Sequence, residues 1–269
     1  MKKKVHAIIQ ARMNSTRLPG KVLMEFSGDT VLGHIIRRVK KSNGIDKIIV
    51  ATTTNYSDDK IVEFCNKYNI DVFRGDENDV LDRYYRCAIQ YHSDIIVRIT
   101  ADDPLKDPEI ISFAIDLFKS NNYDYVSNTI NPTFPEGLDI EVFSFNALEL
   151  AHKSAYQNSD KEHVTPYIYH NPQIFNLFNF TNDYDYSHMR WTLDNENDLI
   201  FIKTIYMNLY LNPDDVFTSK SIYKLLDSNP DISKINQGHS RNEGYQKSIA
   251  EENKKWKTEN VFMVMNLYI

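Results

Sequence analysis

The sequence predicts an α/β protein: a mostly parallel, twisted sheet flanked by helices, with a β-rich insertion in the second half. Three observations carry this expectation. Over the first 130 residues, short apolar runs rich in β-branched residues alternate with segments whose apolar residues recur at helical spacing. Repeated β-α-β units of this kind imply a parallel sheet with right-handed crossovers. After residue 130 that alternation stops, and shorter strand-like segments with many aromatic residues follow. Finally, a chain of 269 residues with 42% hydrophobic content has enough apolar material for one substantial core.

The elements follow in order. Residues 5–10 form an apolar run bounded by a polar loop, the pattern of a buried strand. In 30–41, Val31, Leu32, Ile35, Ile36 and Val39 fall on one helical face, and Asp29 or Thr30 is placed to cap it. Strand 47–52, helix 57–68 with Ile61, Val62, Phe64 and Cys65 on its inner side, and the short strand 71–73 come next. Helix 80–91, strand 94–100, helix 108–120 with proline in its first turn, and strand 123–126 complete the first half. Residues 131–137 hold two prolines and a glycine and read as a loop. Residues 138–145 alternate like a strand with one wet face. A helix over 162–170, strands over 175–180 and 187–194, and helices over 198–210 and 219–226 follow. Residues 241–257 are polar and read as a surface helix or a frayed tail, and apolar residues 261–269 as a segment that docks on the body. One domain over 1–245, with two halves that divide at about residue 130 and a tail from 246, is the resulting organisation.

The loop after the first strand carries the strongest chemical signal. It reads Gln10-Ala11-Arg12-Met13-Asn14-Ser15-Thr16-Arg17-Leu18-Pro19-Gly20-Lys21. The carboxyl end of a first parallel strand is where open α/β sheets bind ligands. Arg12, Arg17 and Lys21 are spaced to converge on a group with several negative charges, such as a triphosphate, through forked and point-charge contacts. The loop is neither a P-loop nor the three-glycine dinucleotide fingerprint.

Charge is distributed unevenly. Residues 1–41 hold ten Lys/Arg against two Asp/Glu, a balance of +8 in a chain of net charge -6. This is the pattern of a local anion site on an acidic body, and it argues against a protein that coats nucleic acid. Cys65 and Cys87 have no close Cys or His partner, so a zinc site or a disulfide framework is not expected. The start Met1-Lys2-Lys3-Lys4 imitates a signal peptide, but Gln10 and Arg12 break the apolar stretch behind it. With no apolar run near the roughly 18 residues of a membrane span, the expectation is a cytoplasmic protein without membrane contact.

Two acidic elements face this loop. Strand 94–100 runs into Ala101-Asp102-Asp103-Pro104-Leu105, which places carboxylates on the same sheet edge as Arg12 and Lys21. Carboxylates that face a polyphosphate need a cation between them, and Mg2+ binds one or two carboxylates together with phosphate oxygens. The second element is Asp194, in Arg190-Trp191-Thr192-Leu193-Asp194, just before a helix. A plain turn at Asp103-Pro104 and a helix cap at Asp194 are the competing readings. Two further polar clusters are placed to line a cleft: Glu136-Gly137-Leu138-Asp139-Ile140-Glu141, and Glu162-His163-Val164-Thr165-Pro166-Tyr167. His163 lacks zinc-ligand spacing and is not read as a metal ligand.

With these residues in view, the chain resembles the cytidylyltransferases that activate acidic sugars. The branch it resembles most is that of spore coat polysaccharide biosynthesis protein F, related to the synthetases of CMP-3-deoxy-manno-octulosonate and CMP-sialic acid. The resemblance covers about residues 4–245. It rests on Ala11 through Lys21, on Asp102-Asp103-Pro104-Leu105, Glu136 through Glu141, Glu162 through Tyr167, Thr192-Leu193-Asp194 and Asn242-Glu243-Gly244-Tyr245. It implies a nucleotide-diphospho-sugar transferase-like fold, and transfer of CMP from CTP to an acidic acceptor with loss of pyrophosphate, for surface polysaccharide or glycan synthesis. Arg12, Arg17, Lys21 and Asp102 would carry catalysis. Gln10, Ala11, Ser15, Arg74 and Thr100 would join the arginines and lysine around the nucleotide. Asp102 and Asp194 would hold Mg2+. Arg83, Glu136, Asp139, Glu162 and His163 would face the acceptor, with Arg83 or the metal taking the acceptor carboxylate. Octulosonate enzymes read Gly-Asp-Glu-Pro where this chain has Ala101-Asp102-Asp103-Pro104, which keeps the metal aspartate but leaves the acceptor open. An eight- or nine-carbon keto-acid sugar leads, with a phosphorylated or smaller acid as the alternative.

The resemblance also implies a homodimer, and the aromatics of 138–180, such as Phe143, Phe145, Tyr167, Tyr169 and Phe178, read either as surface for such an interface or as an ordinary core layer. A metal-dependent nucleotide-sugar glycosyltransferase and a non-catalytic nucleotide or sugar binder remain the rival readings of the same residues.

Overall fold

A seven-stranded sheet, in the order β5 (Asp71–Gly75), β4 (Lys47–Thr53), β1 (Val5–Gln10), β6 (Ile95–Thr100), β8 (Glu141–Ser144), β7 (Tyr125–Ser127) and β9 (Leu177–Asn179), lies at the centre of a computed structural model of residues 2–212 and 216–266, whose side chains are described through residue 254. Strand β1 lies between β4 and β6, and all pair in parallel, as does β5 with β4. Val5, Ala7, Ile8 and Ile9 are fully buried, as a strand covered on both faces requires. The chain leaves β1 for β4 on one side and returns to β6 on the other. The loops after β1 and β6 therefore diverge from adjacent strand ends, where Gln10 pairs with Thr100.

One face is covered by α1 (Val31–Lys40), α2 (Asp59–Lys67), α4 (Pro108–Ser120), α8 (Glu196–Leu209) and α9 (Ser219–Ser228). The other is covered by α3 (Val80–Tyr91), α5 (Phe145–Ser154), and the short helices α6 (Asn158–His163) and α7 (Pro166–Tyr169). A one-turn α10 (Pro230–Ser233) precedes the final α11 (Glu243–Asn266). Thr30 caps α1 by accepting the Gly33 amide. Asn195, not Asp194, caps α8, in a reciprocal capping box with Asp198.

The second half departs from the expected pattern in four places. Strand β8 (Glu141–Ser144) is no wet-faced strand: it runs antiparallel in the sheet interior, between β6 and β7 (Tyr125–Ser127). Its polar residue, Glu141, is buried against Arg98 of β6. Helix α5 had no counterpart in the sequence reading, although Ser144 caps it by accepting the Ala147 amide. The single helix over 162–170 is two, because Val164 adopts φ 73° and Pro166 starts a new turn. Residues 187–194 form no strand; only Arg190 bridges to Glu136. The short ribbon of β2 (Glu25–Phe26) and β3 (Asp29–Thr30) was also not foreseen, and β9 (Leu177–Asn179) closes the sheet edge beside β7.

The aromatics invoked for a dimer surface lie inward. Phe143 is fully buried, Phe145, Tyr167 and Tyr169 pack on the same core as α3 and α5, and Phe178 packs on the opposite one. Phe143 is core and the other four are partly buried against it, which fits the core-layer reading better than an exposed aromatic surface. Residues 261–266 continue the backbone of α11, and the docking expected of 261–269 lies outside the described side chains. Among the described residues no helix is long and apolar enough to cross a membrane.

Candidate active site

A cleft of about 600 Å3 opens over the carboxyl ends of β1 and β6, within the usual size of small-molecule sites. The loop after β1 forms one wall. Its entry is stapled down by Asp58, which is buried and accepts from the Met13 amide (2.7 Å), the Thr53 amide (3.2 Å) and the Thr52 and Thr53 hydroxyls. Its exit turns at Gly20, whose left-handed φ of 73° leads into the 3-10 turn Lys21–Leu23.

The three cations of the loop have different environments. Arg12 is half exposed, and its one carboxylate neighbour among the described residues, Glu77, is 3.9 Å away. Arg17 reaches Asp194 at 2.9 Å and Glu243 of α11 at 3.1 Å. Lys21 is buried, 6% exposed, and spends its three N–H groups on Asp102 Oδ2 (2.9 Å), Asp194 Oδ1 (2.9 Å) and the Leu193 carbonyl (2.7 Å). Lys21 is thus the pin that joins the β1 loop, the β6 turn and the Asp194 segment. Burial opposes its charge, but the two carboxylates outweigh burial and raise its pKa. Burial likewise pushes Asp102 up, and Lys21 more than offsets it, holding the carboxyl at about 2.

Asp102 and Asp194 therefore converge on one cationic point. Asp194 is fully engaged, since Oδ2 also accepts from Arg17 and Arg190. Asp102 keeps Oδ1 without a partner among the described residues, on a side chain 31% exposed to the cleft. No group of three or more metal-ligating side chains occurs among the described residues. Two carboxylates, one with a free oxygen, fit Mg2+, which takes its remaining ligands from phosphates and water; they do not fit a cation that needs an all-protein cage.

Gln10, Ala11, Ser15 and Thr100 line the cleft with the loop cations, and the buried Gln10 Oε1 has no partner. Thr100 donates to Asp103 (2.6 Å), which also holds the buried Lys106. Arg74 stands apart from this group. It turns away from the cleft to Asp59 (2.6 Å) and the Thr53 and Asn55 carbonyls, because β5 lies two strands from β1. Arg83 lines the cleft, but on the side of Arg12: it packs against Gly75 and donates to the Asp76 carbonyl.

Glu136, Asp139, Glu162 and His163, expected to face the acceptor, are brought together, and each already has a partner. Glu136 accepts from Arg190 (2.8 Å) and from the Asn242 amide (2.9 Å). Burial raises Glu136 to about 6, even against Arg190. Asp139 pairs with Arg241. Gly137 between them has φ 105°, and a Cβ there would sit 2.6 Å from the Trp191 carbonyl carbon, so only glycine allows this approach. His163 Nε2 meets Ser248 Oγ at 3.1 Å, and Ser248 donates to Glu162. Burial lowers His163 to about 4.

Three features were missed by sequence reasoning. Arg190 is buried and binds Glu136, Asp194 and Asp198 at once. Asn236 supports it from the Arg190 carbonyl and Asp198. The segment read as a surface helix or a frayed tail is a helix and forms a wall of the cleft: residues 241–252 contact Asp139, Glu136, Glu162, His163 and Ser159, the last through both its amide and hydroxyl to Glu252. Only the run of polar residues at helical spacing hinted at this.

Asp160 on α6 is buried beside Glu252, and burial followed by that like charge raises its carboxyl from 3.8 to about 6. A raised acid destabilises the fold where it must ionise: the cost is full above pH 6 and vanishes as pH falls through 6 toward 3.8. Asp160→Asn is therefore expected to stabilise by on the order of 2 kcal/mol at pH 8, raising Tm by about 4–8 °C, with the gain shrinking by pH 4. Equal Tm gains at pH 8 and pH 4 in scanning calorimetry would contradict this.

Comparison with known proteins identifies the family. A model of the cytidylyltransferase family matches residues 6–228. The chain belongs to the cytidylyltransferase family. Spore coat polysaccharide biosynthesis protein SpsF of Bacillus subtilis is 32% identical over 84% of this chain and 95% of its own. An uncharacterised protein of Methanocaldococcus jannaschii is 43% identical over 87% and 94%. The solved structure of a cytidylyltransferase from Leptospira borgpetersenii superposes with a TM-score of 0.83 at 35% identity, over 89% of this chain and all of that one. This cytidylyltransferase is thus a CTP-dependent nucleotidyltransferase of the SpsF-like branch, built on the nucleotide-diphospho-sugar transferase-like fold.

Proposed function

We propose that this cytidylyltransferase joins CMP from CTP to an acidic sugar in polysaccharide biosynthesis, with pyrophosphate as the second product and Mg2+ held by Asp102 and Asp194. The observation that carries the reading is the meeting of these two carboxylates at Lys21, beside Arg12 and Arg17, on one edge of the cleft. In the reaction the acceptor hydroxyl oxygen forms a bond to the α-phosphorus, and the bond from that phosphorus to the β-phosphate bridging oxygen breaks. Mg2+, when bound, polarises the α-phosphate and neutralises part of its charge.

Arg12 and Arg17 bind the phosphate oxygens, and Arg17 gives up Glu243 to do so. Lys21 holds Asp102 and Asp194 in place, so its part is positional. His163, neutral above pH 4, is the acceptor-half base able to take the hydroxyl proton. Little covalent chemistry is asked of the protein, and positioning with charge neutralisation dominates.

The test is pyrophosphate release from CTP, Mg2+ and a panel of sugar acids, with competition binding of the four nucleoside triphosphates. CTP is expected to bind tightest and to support release. Tighter binding of UTP or ATP, or acceptor-dependent turnover without pyrophosphate, would overturn the assignment.

A further inference from the structure

The floor of the acceptor half contains a charge arrangement that the reading so far leaves unused. Arg98 sits on β6 between Ile8 of β1 and Glu141 of β8. Its Nη1 donates to Glu141 Oε2. Glu141 is itself held by the Tyr125 hydroxyl at 2.7 Å and the Thr165 hydroxyl at 2.5 Å, so both its oxygens are satisfied. The opposite edge of the guanidinium is free. Nε is buried with no partner, and Nη2 has none among the described residues. These two N–H groups form the side-on fork of arginine, which fits a carboxylate with two parallel hydrogen bonds.

Leaving a buried donor unpaired is costly, and a rigid guanidinium with an unused fork is a preorganised receptor. Thr129, Thr165, His163 and Tyr169 line the cleft around it. His163 and Tyr169 both feel the charge of Arg98, whereas Arg83 feels that of Arg12. Arg98 is anchored to Glu141 of β8, whereas Arg83 is anchored to the Asp76 carbonyl and packs on Gly75.

From this, and resting on the cytidylyltransferase reading of the cleft, we infer that Arg98 binds the acidic group of the acceptor, and that this group is a carboxylate. Charge balance selects the carboxylate. Arg98 and Glu141 together are neutral, so a bound carboxylate leaves the buried site one charge negative and a dianionic phosphate leaves it two, and the neighbouring Glu141 disfavours the dianion more strongly. Glu141 is the positioning residue: it holds the guanidinium by one nitrogen and leaves the fork unpaired on a side chain that lines the cleft. Arg98 sets specificity for acid over neutral sugar, because a site built to pair a buried fork rejects a ligand that leaves it unpaired.

The test uses the full chain with Mg2+ and the α,β-methylene analogue of CTP, which cannot turn over. Three probes are titrated by calorimetry: 3-deoxy-manno-octulosonate, its neutral 1-carboxamide, and a hexose 6-phosphate. Wild type is expected to bind the acid at least about 30-fold more tightly than the carboxamide. Arg98→Met alone leaves Glu141 buried and unpaired, so the paired variant Arg98→Met with Glu141→Gln is the main probe. It is expected to bind acid and carboxamide within about 3-fold of each other, with the affinity for the CTP analogue unchanged. Arg98→Lys, which keeps the charge and loses the fork, should fall between them. A paired variant that keeps the wild-type preference for acid would overturn the role of Arg98. Tighter binding of the phosphate than of the acid would overturn the carboxylate, as would wild type binding none of the probes while taking the CTP analogue. Failure of wild type to bind the CTP analogue would instead remove the reading on which the inference stands.

Discussion

Lys21→Met is expected to lower Tm by about 6–20 °C and to reduce turnover below detection. The variant removes a buried ammonium and leaves Asp102 Oδ2, Asp194 Oδ1 and the Leu193 carbonyl facing one another without the donor they share. Removing one partner of a buried ion pair costs about 3–5 kcal/mol, mostly through the charge left behind, and each kcal/mol moves the melting point of a chain this size by about 2–4 °C. Lys21→Arg should lose part of the stability, since a planar fork does not reproduce three tetrahedral contacts. The proposed metal adds a second readout: millimolar Mg2+ should recover part of the Tm loss in Lys21→Met, because a divalent ion can neutralise the same two carboxylates. Calorimetry of the variant with and without Mg2+ measures both effects. A variant melting with wild type would show that the three contacts contribute nothing. The pH dependence has a definite sign. Asp102 is held at about 2 against an ordinary 3.8, so its contribution is present above pH 3.8 and is lost as pH falls toward 2.

Asp102→Asn and Asp194→Asn are expected to differ, although both should cut turnover at least ~100-fold. Asp102 has one ion-pair partner and a side chain partly open to the cleft, so its amide variant should lose some stability, but less than the variant at Asp194. Asp194 accepts from Lys21, Arg17 and Arg190. Its amide variant leaves three cations short of a counter-charge and should also lose about 3 kcal/mol of stability. Stopped pyrophosphate-release assays alongside thermal melts separate the two. An Asp102→Asn variant with near wild-type turnover at low Mg2+ would remove it from the metal site. One as unstable as Asp194→Asn would make its role structural.

These two aspartates show how far the sequence could be read. Each was legible because it follows an apolar run, and strand ends and loop chemistry are local in the chain. The same holds for the parallel half of the sheet: the β-branched run of β4 and the helical spacing of α1 each declare themselves within a dozen residues. The loop from Ala11 to Lys21 was likewise found from its own composition.

The tertiary structure alone decided what those residues are bonded to. Lys21 meets Asp102 across 81 residues and Asp194 across 173, and so became a pin where the sequence suggested a phosphate ligand. The reach of Arg17 to Glu243 spans 226 residues. Arg98 and Glu141 face each other only because β8 enters antiparallel between β6 and β7, a strand order that periodicity does not encode. The same insertion made Phe143 core, where the sequence left it as surface or core, and the fold of the chain end brought residues 241–252 onto the cleft. Local pattern determines which segments become strands, helices and charged turns, because those choices depend on neighbours a few residues away. Which buried charge meets which partner is settled by the desolvation cost of leaving it alone, and that cost can be offset only once distant segments have packed.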